Sequence, residues 1–292
     1  NKNYIKELNT KSFNSSEPMV NKMLKQSKKF IATNDFEETI NHSDIIFVFI
    51  ATPSLENGMY DHSSIELMIK RLLASPIPKK TKEIIISCTV MPGFTGKLLK
   101  EVSNRNYNVS YNPEFIAQGS IISNLKNPDM ILIGESNTSS GDIISSIYNN
   151  ICSEKPIYHR MGLMEAEITK IALNCFLTTK ISFANMIGDI AKESECDAEK
   201  ILLAIGSDSR IGNKFLKYGY GFGGPCLPRD NRALLAFAED TGLDAIISKA
   251  SDTANKLHLS FQIKDYIKNN DINHPIEISD VAYKSGTNII EE

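Results

Sequence analysis

The run Ile45-Ile46-Phe47-Val48-Phe49-Ile50-Ala51, closed by Thr52-Pro53, decides the fold class. It is continuous, β-branched and aromatic, and of strand length. That pattern predicts a parallel strand buried on both faces. Further runs follow: Glu83–Cys88 (EIIISC), a shorter one at Val109–Tyr111, and Met130–Gly134 (MILIG). Between the first two, Ser63–Ala74 has the spacing of an amphipathic helix. Upstream, Glu17-Pro18 opens a helix to about Lys29, and Asn34-x-x-Glu37 reads as a capping box before a short helix. Strands alternating with helices predict βαβ units and a parallel sheet. Ligands of such sheets bind beyond the carboxyl ends of the strands. Three successive strand ends carry polar or Pro-bearing loops: Thr52-Pro53-Ser54, Cys88 to Gly93, and Asn112-Pro113-Glu114-Phe115.

The same apolar run is the longest in the chain, far short of the ~20 residues that span a bilayer. No membrane association is expected. Apolar residues are 41% and charged residues 23% of the 292, the balance of a globular protein rather than a disordered one. Net charge is −3 with no basic block, so nucleic acid is not an expected partner. Five cysteines, odd in number and without a C-x-x-C pair, point to reduced thiols in a cytoplasmic protein. No metal site is expected. The chain starts without Met and stops soon after a strand-like segment, so it is expected to be a piece of a longer protein.

From Leu163 to Ser194 one long helical pattern is apolar on most sides, which predicts burial in a core or a subunit interface. Asp197–Ile205, Asn231–Glu239 and Ala245 to about Lys268 read as further helices of an all-helical second domain. Strand character returns at Ile276–Val281.

Lys170 and Asn174 stand four apart on the long helix and so share a face. Together they could polarise a carbonyl or hold an oxyanion. Lys170 alone is also explained by an ion pair with Glu167, one turn before it. The densest signal is Gly219 to Asp230 (GYGFGGPCLPRD). Its formal G-x-G-x-x-G follows a helical stretch and is separated from the next helix by Pro225 to Pro228. It is therefore not a dinucleotide fingerprint. The glycines would instead let backbone approach a ligand. Cys226 precedes a helix opened by Pro228, where the positive helix end would favour a thiolate nucleophile. Asp230 could face the same site as base or orienter, or simply complement the helix dipole.

These segments resemble the nucleotide-sugar dehydrogenase family. The matches run in order: ATPSLENGMYD (Ala51–Asp61), SCTVMPG (Ser87–Gly93), YNPEFIAQG (Tyr111–Gly119), NPDMILIGE (Asn127–Glu135) and AEITKIALNCFL (Ala166–Leu177). AIGSDSRIGNKFLKYGYGFGGPCLPRD (Ala204–Asp230) and AYKSGT (Ala282–Thr287) complete them. The resemblance implies an α/β chain of three parts. Residues 1–158 form an NAD-binding Rossmann-like domain lacking its first strand and Gly-rich turn. Residues 159–270 form a helical central and dimerisation domain with the cysteine. Residues 271–292 begin a truncated UDP-sugar-binding domain. A piece without the Gly-rich turn is expected to bind NAD poorly and to be inactive by itself.

The implied reaction is the NAD-dependent four-electron oxidation of a nucleotide sugar, UDP-glucose to UDP-glucuronate, for polysaccharide biosynthesis. It runs through a thiohemiacetal and a thioester on Cys226. By the same resemblance, Lys170 and Asn174 hold the oxygen anion, Asp230 orients water or acts as base, and Glu114 positions the hydrolytic water. Thr89 joins the water network near the nicotinamide. Thr52, Thr89, Gln118, Cys226 and Arg229 line the cofactor. Glu114, Phe115, Ile116, Lys170, Asn174, Arg210, Lys217, Phe222, Gly223, Tyr283 and Lys284 touch the sugar nucleotide, with Arg210 reaching a partner subunit of a homodimer or larger homo-oligomer. Gln118 stands where the family usually has a second glutamate, Glu291 near a family arginine, and Ser279-Asp280 where small apolar residues are usual. Two other readings compete: a non-catalytic dimerising remnant, and a two-electron hydroxyacid dehydrogenase. The second shares the Lys and Asn but needs no Cys nucleophile.

Overall fold

The computed structural model describes residues 1–275, 277, 282 and 290. The expected strand at 276–281 and the sugar-contact residues Tyr283 and Lys284 lie outside the described residues, apart from Glu277. Chain contacts define two compact units, Asn1–Pro53 with Tyr60–Thr169, and Ser54–Met59 with the described residues from Lys170 onward.

The first unit begins with three short helices, α1 (Lys2–Asn9), α2 (Val20–Gln26) and α3 (Phe36–His42). α2 does not start at Pro18. Met19 takes a left-handed conformation, and the Asn21 side chain bonds both backbone groups of Ser15, folding 15–19 into a turn. Asp35, not Asn34, caps α3, accepting from the Glu38 N–H at 3.0 Å. There follow β1 (Ile45–Val48), α4 (Ser63–Ala74), β2 (Lys82–Ile86), α5 (Phe94–Val102), β3 (Tyr107–Tyr111) and α6 (Ile121–Lys126). β4 (Ile131–Gly134), α7 (Thr138–Ile151) and β5 (Tyr158–Met161) complete the sheet, in spatial order β1-β2-β3-β4-β5.

β1, β2 and β3 run parallel, and β4 pairs parallel with β5. The β3–β4 junction is antiparallel, with Tyr111 opposite Gly134, so the sheet is mixed rather than wholly parallel. The decisive run also differs from expectation. Only β2 pairs with β1, which makes β1 an edge among the described strands; pairing stops at Val48 and Phe49 is 62% exposed. β2 and β4 are the strands buried throughout.

One face of the sheet carries Ile84, Ile86, Val109 and Tyr111 against Ile65, Ile69 and Leu72 of α4 and Phe94, Leu98 and Val102 of α5. The other packs Ile85, Ile131 and Ile133 against Ile144 of α7. Period-2 alternation on strands between two helical layers produces this division. Buried Glu83 accepts from Ser110 at 2.5 Å and Ser140 at 2.8 Å, tying β2, β3 and α7 together. A buried carboxylate is tolerable only with such donors.

α8 (Leu163–Glu193) crosses from the first unit into the second, which adds α9 (Ala198–Gly206), α10 (Leu227–Asp240) and α11 (Ile246–Asn269). α8 is not enclosed on every side by the described residues. Its inward face uses small and polar residues, Cys175, Thr178, Ser182, Ala184 and Asn185, while Phe176, Phe183, Met186 and Ile190 form an exposed apolar stripe. Among the described residues no helix is long and apolar enough to cross a membrane.

Candidate active site

In the first unit the carboxyl ends of β1 and β2 are linked directly. The buried Thr52 hydroxyl donates to the Thr89 carbonyl at 2.7 Å. His62 accepts from the Met91 N–H at 3.2 Å and stacks on Phe94, fixing the loop that carries Thr89. Burial holds His62 well below its ordinary range, at about 4, so the imidazole is neutral and can accept. Glu167 of α8 is fully buried and accepts from the N–H groups of Gly93 at 2.6 Å and Thr95 at 2.8 Å. It therefore caps the N-terminus of α5. Burial raises the Glu167 carboxyl, and these donors partly offset the rise.

Beyond β3, Asn112 donates to the Leu132 carbonyl and accepts from the Tyr148 hydroxyl, which fixes the start of the Asn112–Phe115 loop. Glu114, Phe115 and Ile116 are half-buried there, and Gln118 is exposed. The Glu114 charge, second to burial, helps push Tyr148 up to about 12.

In the second unit α8 and α10 bring two pairs of residues together. Asn174 donates to the Asp230 carboxylate at 2.6 Å, and Asp230 is only 1% exposed. Lys170 lies one turn earlier on α8 and is 8% exposed. Cys226 is the N-cap of α10, with Pro228 in the first turn. The helix therefore begins at Leu227 rather than Asn231. Asp230 follows on the same side one turn later, its N–H bonded to the Cys226 carbonyl.

Cys226 is exposed and lines a cavity of about 210 Å³ with Ile181, Gly221, Phe222, Gly223, Pro225 and Leu227. The thiol is not tilted toward thiolate as the helix end suggested. The surrounding protein mass and the Asp230 charge raise it, against the opposing pull of Arg229 and Lys170. Arg210 is exposed and holds Asp208, and Lys217 is exposed.

Sequence reasoning missed two features. Ser87, at the end of β2, has a buried hydroxyl with no hydrogen-bond partner among the described residues. The Ser54–Met59 loop packs with the second unit, where Gly58, at φ +84°, leaves a Cβ-sized gap of only 3.1 Å to the Arg232 carbonyl. The pairing of Ser54–Met59 with residues about 170 positions later carries no sequence signal.

The Thr52, Ser87 and Thr89 hydroxyls stand at the carboxyl edge of parallel strands, where a dinucleotide belongs in α/β sheets. That donor set, with one hydroxyl still unmatched, fits the ribose and carboxamide of a nicotinamide cofactor. A sheet of this kind, followed by a helical unit that clusters Lys, Asn, Cys and Asp, fits the class of nicotinamide-dependent dehydrogenases.

The chain belongs to the UDP-glucose/GDP-mannose dehydrogenase family. It matches the family's NAD binding domain over residues 1–152 and its central domain over residues 164–257. It is 30% identical over 295 residues to the UDP-glucose 6-dehydrogenase of Rickettsia typhi, covering 97% of this chain and 67% of the relative. It is 35% identical over 216 residues to UDP-glucose 6-dehydrogenase TuaD of Bacillus subtilis, covering 72% and 46%. A UDP-glucose dehydrogenase structure from Pyrobaculum islandicum superposes with a TM-score of 0.79 at 29% identity, covering 88% of this chain and 61% of that one. The chain thus spans about two thirds or less of these relatives' lengths.

Proposed function

We propose that this chain carries the catalytic cysteine and cofactor sheet of an enzyme that oxidises UDP-glucose to UDP-glucuronate. The observation that carries the reading is the Asn174–Asp230 bond at 2.6 Å beside Lys170 and Cys226, all within one unit. Thr52, Ser87 and Thr89, with Gln118 and Arg229, would hold NAD+, which would supply the hydride acceptor for both oxidations.

Lys170 and Asn174 hold the sugar C6 oxygen, stabilising the charge that develops there. Asp230, kept in place by Asn174, takes the proton of the C6 hydroxyl or of water. After the first oxidation the Cys226 sulfur adds to the aldehyde carbon and its proton leaves. The thiohemiacetal carbon gives up the second hydride and becomes a thioester. Water, positioned by Glu114 and Thr89, cleaves the C–S bond, releasing carboxylate and thiol. The raised thiol supports a cysteine that is quiet until a carbonyl and the Lys170 charge are both beside it. Phe115, Ile116, Arg210, Lys217, Phe222 and Gly223 are the proposed sugar-nucleotide contacts. The exposed stripe on α8 supports a homodimer, and five free thiols support a reducing, cytoplasmic setting.

The gene product that carries this chain is assayed for NADH release with UDP-glucose, GDP-mannose and small 2-hydroxy acids. Release with UDP-glucose alone is expected. Oxidation of a 2-hydroxy acid without any reaction of the sugar nucleotides would refute the proposal.

A further inference from the structure

The segment Gly219–Phe222 precedes Cys226 and lines its cavity through Gly221 and Phe222, yet it contains no regular secondary structure. Its backbone is held instead by side chains from two helices. Asn185 of α8 accepts from the Gly219 N–H at 3.1 Å and donates to the Tyr220 carbonyl at 3.0 Å. Asn255 of α11 accepts from the Phe222 N–H and donates to the Phe222 carbonyl, both at 2.9 Å. A Cβ on Gly221 would stand 2.4 Å from the Asn255 oxygen, so only glycine lets this strap close.

The third holding group is His258 of α11, which is 2% exposed. Its Nε2 lies 2.7 Å from the Gly219 carbonyl oxygen, and its Nδ1 lies 2.9 Å from both carboxylate oxygens of Asp189 on α8. A carbonyl oxygen can only accept, so Nε2 must carry a proton. Asp189 also accepts from the Tyr218 hydroxyl at 3.0 Å, so it acts as an acceptor there. Nδ1 faces both carboxylate oxygens, so Asp189 holds the ring in this orientation.

Other side chains pack around this pair. Tyr218 packs edge-on against the ring, and burial with the Asp189 and Asp265 charges pushes its phenol up to about 12, so it remains a neutral donor. Asp265 of α11 is itself paired with Lys192 of α8. Gln262 of α11 adds a second donor to the Gly219 carbonyl at 3.1 Å.

We propose that His258, held by Asp189, is a positioning residue that sets the Gly219–Phe222 segment beside the Cys226 cavity. Removing the ring takes one bond from the Gly219 carbonyl, while Gln262, Asn185 and Asn255 keep theirs. The inference concerns the conformation of this chain and does not depend on which substrate the cavity takes.

The test uses the 292-residue chain. Hydrogen exchange, corrected for intrinsic chemistry and referenced to the β2 amides, reads the Gly219 and Phe222 N–H groups. His258→Leu, which removes the donor to the Gly219 carbonyl, should lower the protection of these two amides by about threefold to tenfold while β2 keeps its own, the range for losing one hydrogen bond. His258→Gln, which keeps a donor, should restore part of that protection. Asp189→Asn, which leaves the ring in place but loosens its hold, should lower protection less than His258→Leu. Unchanged loop protection in His258→Leu would overturn the proposal. So would full protection in Asp189→Asn.

Discussion

Replacing Glu167 by alanine should destabilise the first unit more than any surface change. The Glu167 carboxylate is the acceptor for two backbone donors, Gly93 N–H at 2.6 Å and Thr95 N–H at 2.8 Å, and the Thr95 side is fully buried. Alanine leaves both N–H groups facing apolar surroundings, at roughly 1–3 kcal/mol each. Removing the carboxylate also relieves the burial cost that raises its pKa. That gain offsets part of the loss, and the two orphaned donors, at roughly 2–6 kcal/mol together, outweigh it.

The expected loss is therefore ~3–4 kcal/mol, a fall of roughly 8–15 °C in Tm for a unit of this size. Glu167→Gln keeps the shape and one acceptor but turns an amide N–H toward the other donor, so about half that loss is expected. Calorimetric unfolding near neutral pH reads both variants. A loss under ~0.5 kcal/mol for alanine, the scatter of surface changes, would refute the capping role.

Gly188→Ala should also destabilise. Alanine favours a helix by about 1 kcal/mol over glycine, but its Cβ would stand 1.8 Å from the Tyr218 ring, and overpacking costs roughly 1–3 kcal/mol. A net loss in chemical denaturation is expected; a net gain would show that the ring moves aside freely. The His62 imidazole, depressed to about 4 from 6.5, links stability to pH. The unfolded chain binds more protons between those values, so stability falls as pH drops through that window. Because His62 is partly exposed, the full effect is discounted to ~1–2 kcal/mol. It should vanish in His62→Gln, and persistence of the same slope would exclude His62 as its source. The α8 stripe of Phe176, Phe183, Met186 and Ile190 should be covered by a second copy. Light scattering at micromolar concentration should give a dimer that Phe183→Glu dissociates, whereas a monomer in the unaltered chain would count against it.

The elements that sequence reveals best are those whose signal is local. The β2 run Ile84 to Ile86 is apolar and β-branched because both faces are covered, and α4 matches its amphipathic period end to end. β5, with sequence Tyr-His-Arg-Met, has no such pattern. It is a strand because β4 pairs with it, and Arg160 reaches across to Glu135 and Asp142. β1 reads as fully covered, yet its position at the sheet edge is a tertiary property that its own residues do not encode.

The candidate site divides in the same way. Lys170 with Asn174 and Cys226 with Asp230 are each spaced at one helical turn, which is legible; their meeting across 56 residues is supplied by packing. Glu167 looked like a local partner for Lys170, but its acceptors' donors lie 72 and 74 residues upstream. Asn185, Asn255 and His258 have no motif around them. Their roles emerge only when the loop they hold is seen in space.

The most direct measurement of the central proposal compares NADH released per UDP-glucose in the unaltered gene product and in Cys226→Ser. Two NADH per sugar with uronate as product is expected from the first. In the second, a thousandfold or so slower uronate formation is expected, because a serine hydroxyl is not activated as a thiolate is. Near-normal uronate formation by Cys226→Ser would contradict a covalent role for the cysteine at the start of α10.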